Sequence, residues 1–285
     1  MDWNSDLQTL GEPLLQQLKP EERTWLEARL AKVLEGTSGR ELFMTYSLIG
    51  GKLRGGKVVF PDTSQGATAY LSGHGIQQGE LARVYLLAAA LEANPELFTE
   101  KVAKLIEVAD TGERIAFLRY LPILPQSGAF LPVAVEALRT NIADVFDAIA
   151  LNNPYPAAHF NEQQWNQMYL KAAFMQRDLL QIIGVDQRAN ADLARIISDY
   201  AHERWAASRP VDPLFWRPVG PFINERLLQD MRRLLEQGDR AEQMAGYLCC
   251  SASGLKQATA LIAGHPLSET YQRHPFGWKD IKTNK

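Results

Sequence analysis

The residues best suited to chemistry lie in the run Asp199-Tyr200-Ala201-His202-Glu203-Arg204-Trp205. On a helix, positions 195, 199, 202, 203 and 206 share one face, because side chains three and four apart stand over one another. Arg195, Asp199, His202 and Glu203 would then project together. A carboxylate one turn from an imidazole orients it and raises its pKa, which is what a general base needs. Asp199, His202 and Glu203 are therefore the candidate catalytic residues. A salt-bridged face between helices produces the same pattern and is the plainer reading.

The familiar motifs come close and fail. His202-Glu203 starts an H-E-x-x-H zinc helix, but position 206 is Ala. Gly51 to Lys57 fits G-x-x-x-x-G-K, yet Val58 stands where a magnesium-holding Ser or Thr is needed, and no strong strand precedes it. Gly73-His74-Gly75 runs on to Gln78 rather than Gly, so the dinucleotide fingerprint is absent. No G-x-S-x-G elbow occurs. The five histidines, His74, His159, His202, His265 and His274, are scattered without ligand spacing. Neither a metal site nor a cofactor is expected.

Two proline-rich stretches flank the histidine run. Asn152-Asn153-Pro154-Tyr155-Pro156 is a rigid turn that either separates two helices or offers the Asn153 amide and the Tyr155 hydroxyl to a ligand. Pro210 to Phe222 holds four prolines with Phe215, Trp216 and Arg217, so it cannot be one continuous helix. It reads as a strap over the core, or as an aromatic and cationic wall for a flat or anionic molecule. Trp165, Asn166, Lys171, Arg188, Arg204 and Trp205 complete the candidate binding set with Asn153, Tyr155, Trp216 and Arg217.

The elements that must position these groups read as helices. Asn161 is an N-cap with Gln164 three residues on, and Phe160 and Trp165 can staple the same helix start. That helix runs over 162–176 with Trp165, Met168, Tyr169, Ala172 and Met175 inward. Asn190 caps the next, to about Ser208, with Leu193, Ile196, Ile197, Tyr200 and Ala201 inward. Upstream, residues 12–35 read as an amphipathic helix with a break at Pro20. Leu81, Val84, Tyr85, Ala88 and Leu91 form another stripe, and Asn94-Pro95 opens the helix after it. Helices continue through 113–121, 130–140, 142–151, 222–237, 240–250 and 255–263, and the tail after Pro266 reads as irregular. Gly50 to Gly79 carries eight glycines and the turn-like Pro61-Asp62-Thr63-Ser64, so it reads as irregular, with a brief extended piece at 57–60. No other segment alternates as a strand does. The expectation is an all-α fold of antiparallel helix pairs, with a HEAT-like helical-repeat solenoid as one form of it. The whole chain, 1–285, is read as one domain in three stretches, 1–79, 80–238 and 239–285.

Bulk properties narrow the class. The chain has 285 residues, 46% of them apolar, ample for a sizeable core. Its formal net charge of -3 leaves no cationic excess to neutralise a nucleic-acid backbone. The two cysteines, Cys249 and Cys250, are adjacent on a helix and point about 100° apart, so no disulfide framework exists. That suits a reducing cytoplasm. The start, MDWNSDLQTLGEP, has acids where a signal peptide needs bases, and no apolar run reaches the roughly 20 residues of a membrane span. An integral membrane protein is not expected; peripheral association stays open.

Several ordered blocks together resemble the EboA family. They are Asn153-Pro154-Tyr155-Pro156-Ala157; Glu162-x-x-Trp165-Asn166-Gln167-Met168-x-Leu170-Lys171-Ala172; Gly184-x-Asp186-x-Arg188-Ala189-Asn190; Asp199 through Ala206; and Trp216-Arg217-x-Val219-Gly220-Pro221-Phe222. The resemblance spans roughly 80–225, is loose around 50–57 and fades after Gly238. It implies a helper encoded in a bacterial ebo cluster, linked to export or maturation of a secondary metabolite such as an indole-derived pigment precursor. It carries no catalytic residues. The expected partners are a small metabolite or other ebo-cluster proteins. A binding role leads; an acid–base enzyme, with Arg188, Arg204 or Arg217 holding an anion, and a pure scaffold are the rivals.

Overall fold

Apolar residues at helical spacing recur along the chain, and the computed structural model is accordingly all-α: 73% helical, with 16 α-helices and no strand among the described residues. It describes residues 6–281 except 37, 38, 62 and 64. The expected turn at Pro61 to Ser64 thus falls, at Asp62 and Ser64, outside the described residues. Contacts divide the chain into two compact units, residues 1–149 and 150–285.

The first unit holds α1 (Leu7–Gln17), α2 (Pro20–Glu35), α3 (Arg40–Lys52), α4 (Gly66–Gly73), α5 (Gln78–Ala93), α6 (Pro95–Val108), α7 (Thr111–Tyr120) and α8 (Leu131–Ala137), and α9 (Ala143–Ala150) ends it. The expected break at Pro20 is a full helix boundary, with Pro20 in the first turn of α2, where its missing N–H costs nothing. Asn94 caps α6 by accepting from the Leu97 amide at 3.0 Å. The α5 helix is buried on more than the one expected stripe. Ala82, Leu86, Leu87, Ala89 and Ala90 are inside as well as Leu81, Val84, Ala88 and Leu91. It packs against α1, α2, α3, α6 and α7, the environment of a helix that is apolar nearly all round.

The glycine-rich stretch departs from expectation. Helix α4 forms inside it, because Ala67, Tyr70 and Leu71 find a core to enter and the Tyr70 hydroxyl donates to the Arg119 carbonyl at 2.6 Å. The extended piece is present, as a single bridge between Lys57 and Gln77. The Gln17 amide holds it by donating to the Val59 carbonyl at 2.8 Å and accepting from the Val59 N–H at 2.9 Å.

The second unit holds α10 (Tyr155–His159), α11 (Glu162–Phe174), α12 (Ala191–Ala206), α13 (Glu225–Gln237), α14 (Arg240–Ala252), α15 (Lys256–Ala263) and α16 (Pro266–Arg273). The last helix lies where an irregular tail was expected; Leu267, fully buried, anchors it. α13 and α14 form a hairpin. Asp239 caps α14 reciprocally with Glu242, and Gly246 brings the two backbones close, since a Cβ there would sit 3.1 Å from Leu234 Cβ. Asn161 and Gln164 form the expected capping box of α11, and Asn190 caps α12. The proline-rich strap folds into two 3₁₀ turns, Pro213–Trp216 and Gly220–Phe222, and both pack on α14. Neighbouring helices pair in both units; these pairs do not establish a helical repeat.

Gly184 adopts φ +90°, and a Cβ on it would lie 2.7 Å from Ala157 Cβ. Gly184→Ala combines a disfavoured backbone with a collision, so it should lower stability by about 2–4 kcal/mol. Urea unfolding followed by circular dichroism measures this, and an unmoved midpoint would contradict it.

Candidate functional site

The site grows from one charged residue on an apolar face. On α13, Leu227, Met231, Leu234 and Leu235 turn inward, and Asp230 shares their face at 3% exposure. A carboxylate there needs hydrogen-bond donors, because burial strips it of water. Two donors from α12 serve it: Ser198 Oγ gives its proton to Oδ2 at 2.7 Å, and His202 Nε2 lies 2.6 Å from Oδ1. This is also why the inward face of α12 is rotated from the expected one. Ser198 and Ala194 are buried with Leu193, Ile197 and Ala201, while Ile196 and Tyr200 are half-buried.

The imidazole tautomer follows from this bond. A buried carboxylate accepts, so Nε2 carries the proton and Nδ1 keeps a lone pair. The arrangement differs from a serine-hydrolase triad, in which the serine gives its proton to the histidine. Here serine and histidine both donate to the aspartate, so Ser198 is not an activated nucleophile.

His202 sits 5.5 Å from the Trp205 ring, centroid to centroid. Trp205 stacks on the fully buried Trp216 at 5.7 Å and 22°, and the Arg233 guanidinium carbon stands 4.2 Å from the Trp205 centroid. Arg233 is exposed, and among the described residues no carboxylate lies within ion-pair distance of it. His202, Trp205, Ala206, Gln229, Asp230 and Arg233 line an open hollow of about 410 Å³. Trp205 and Arg233 also border a smaller one of about 170 Å³, next to Pro210 and Gln237. Oriented imidazole, unpaired guanidinium and indole edge together suit a small anion or a proton donor. A larger depression of about 580 Å³ in the first unit is lined by Asn94, Pro95, Glu96 and Thr99. Its polar groups already serve α6, Asn94 as cap and Thr99 through a bond to the Pro95 carbonyl, so it lacks a comparable constellation.

The other candidates are placed apart from this hollow. Asp199 does not face His202's ring nitrogen; it is bound by Arg195 at 2.9 Å and Arg226 at 2.6 Å. Glu203 is exposed. Asn153 and Tyr155 are 1% exposed, and Asn153 Oδ1 accepts the Tyr155 N–H at 2.9 Å, an Asx turn that starts α10. Tyr155 lies 4.3 Å, centroid to centroid and tilted by 33°, from His159, whose pKa burial holds below the usual histidine value. Trp165 is core. Asn166 and Asn190 exchange amide hydrogen bonds at 3.2 and 2.9 Å. Lys171 is half-buried, its pKa lowered by desolvation. Arg188 donates to the carbonyls of Ala157 at 2.7 Å and Phe160 at 2.6 Å and lies over Trp165 at 5.2 Å. Arg204 donates twice to the Pro210 carbonyl. Arg217 forms a two-pronged pair with Asp186, at 2.8 and 2.6 Å. Among the described residues no cluster of His, Cys, Asp and Glu could hold a metal ion, and no helix is long and apolar enough to cross a membrane.

Sequence reasoning missed Asp230, Arg233, Gln229 and Ser198. One signal was present: in Leu227-Leu228-Gln229-Asp230-Met231, an acid occupies the helical face of the leucines. What it meets depends on α12, 28 residues away in the chain.

A family model described as "Metabolite traffic protein EboA" matches residues 7–220. No curated protein and no solved structure matches the chain. The match takes in Ser198, His202, Trp205 and Trp216 and stops before α13, so Asp230 and Arg233 lie outside it.

Arg188 is the clearest case of a candidate binding cation with structural partners. Arg188→Ala would strip the carbonyls at the end of α10 of their charged donor and should destabilise the protein by about 2 kcal/mol. Thermal unfolding reads this directly; a variant as stable as the parent would show that those carbonyls find other donors.

Proposed function

The chain belongs to the EboA family of metabolite traffic proteins, and from that premise we propose that it is a cytoplasmic helper of an ebo-type pathway that binds a small, flat, anionic metabolite in the His202–Arg233 hollow. The observation that carries this reading is Arg233: an exposed guanidinium on the Trp205 ring, with no carboxylate partner among the described residues, beside an imidazole oriented by Asp230. Guanidinium binds carboxylate or enolate oxygens through two parallel hydrogen bonds. Stacking on Trp205 limits the rotamers that must be frozen on binding. The candidate arginines named from sequence serve loops and carboxylates instead, which leaves Arg233 as the cation suited to a ligand.

The acid–base alternative shifts with the geometry. If the protein acts on its metabolite, His202 is the proton acceptor and Asp230, rather than Asp199 or Glu203, is the carboxylate behind it. The bond at 2.6 Å supports that reading, since general-base sites hold their imidazole in this way.

Benzoate is a suitable probe, being flat and singly charged. Isothermal titration should show saturable binding, weakened about tenfold or more by Arg233→Gln, as expected for loss of one charge-assisted hydrogen bond. Arg226→Gln, which removes an arginine bound to Asp199, should bind as the parent does. Equal affinity of parent and Arg233→Gln, or no binding at all, would refute the hollow as the site.

A further inference from the structure

We propose that the hollow selects a molecule with a weakly acidic hydroxyl, a phenol or an enol, and holds it as its oxyanion with the proton on His202 Nδ1. This rests on the binding reading above and goes further, since it states which anion is taken and in what protonation state.

The argument starts at Asp230. The carboxylate is 3% exposed and already accepts from Ser198 on one oxygen and faces His202 Nε2 with the other. It can face a neutral or a doubly protonated imidazole alike, because both forms carry the Nε2–H that it accepts. In the unliganded neutral form, Nε2–H points at Asp230 and Nδ1 presents a lone pair. A ligand that arrives already deprotonated, such as a carboxylate, meets that lone pair with negative charge and gains Arg233 alone. A ligand with an acidic hydroxyl can do better. Its O–H bond breaks and the proton moves to Nδ1. The imidazolium is then matched by Asp230 and the oxyanion by Arg233 and by the new Nδ1–H. No charge is created without a partner, and no co-reactant is needed.

The other charged groups leave this balance in place. On α12 itself, Asp199 is engaged by Arg195 and Arg226, and Glu203 is exposed to solvent. From α13 come Asp230, Arg226 and Arg233, with Glu225, Arg232 and Glu236 exposed, and Glu242 of α14, which accepts from the Asp239 N–H, lines the smaller hollow beside Arg233. α12 also packs on α11, which carries Lys171, and on the turn Pro213–Trp216. That turn is flanked by Asp212, which caps it, and Arg217, which is bound to Asp186. Among the groups that line the hollow, Nδ1 and the Arg233 guanidinium are therefore the pair suited to an oxyanion and its proton. Ser198 is a positioning residue: by holding Oδ2 it turns Oδ1 toward the imidazole.

4-Nitrophenol tests this, because its phenolate absorbs visible light and its phenol does not. Titrated into the full chain over a range of pH, bound nitrophenol should ionise about tenfold more readily than free nitrophenol, one pKa unit downward. Its binding at neutral pH should exceed that of benzoate. His202→Gln keeps a polar side chain but accepts no proton. His202 is half-exposed, so the variant should fold, and it should lose most of the added ionisation while Arg233 still supports weak binding. In the parent, nitrogen-15 NMR should show Nδ1 gaining a proton on ligand addition. Nitrophenol that binds without extra phenolate, or an ionisation that His202→Gln leaves unchanged, overturns the proposal while the binding reading stands on benzoate. If neither probe binds, both fall together.

Discussion

The second unit is organised around a charge in an apolar place. Asp230 stands on the buried face of α13, where an unsatisfied carboxylate would cost several kcal/mol. Only donors brought by another helix can relieve that, and α12 supplies two of them one turn apart, at Ser198 and His202. The register of α12 against α13 is thereby set by hydrogen bonds as well as by packing. Several features follow. His202 is held by one nitrogen and open at the other. Trp205, one turn further, comes to rest on the buried Trp216. Arg233, one turn beyond Asp230 on α13, comes to rest on Trp205. The hollow is thus the rim of a polar contact that the fold itself requires.

Around this contact, many of the polar residues that look functional are anchors. Arg188 holds the carbonyls that end α10, Arg204 holds Pro210, Arg217 holds Asp186, and the Asn166–Asn190 pair ties α11 to the start of α12. The reason is common to all four. The stretches between α10 and α13 are short and irregular, and irregular backbone leaves carbonyls and amides that no helix ladder can satisfy. Long side chains with several donors are the economical way to meet them. The proline-rich strap solves the same problem by dispensing with N–H groups and burying Phe215 and Trp216 against α14.

The family match ends at residue 220, between the two halves of the hollow. Ser198, His202 and the stacked tryptophans belong to the matched stretch; Asp230 and Arg233 belong to α13 beyond it. Within the molecule this division is physically reasonable. The matched half supplies the imidazole and the aromatic floor. The other half supplies the charges, Asp230 behind the imidazole and Arg233 on the Trp205 ring.

How much was legible in the sequence can be judged from particular residues. The caps at Asn94, Asn161 and Asn190, the boundary at Pro20 and the inward face of α11 could be read directly, because each depends on residues within one or two turns. The all-α class follows for the same reason. The rotation of the α12 face and the helix inside the glycine-rich stretch could not be read, since each is decided by a surface contributed from elsewhere in the chain. His202 was singled out by its type and position. Along one helix the acids within its reach are Asp199 and Glu203, and neither is the partner the fold provides. Helical periodicity says which side chains share a face, and only tertiary packing says what that face meets. The sequence by itself determined the helices and the imidazole. The approach of α13 decided that the imidazole is oriented by Asp230 and accompanied by Arg233, because a buried charge takes its partners from whichever element the fold places beside it.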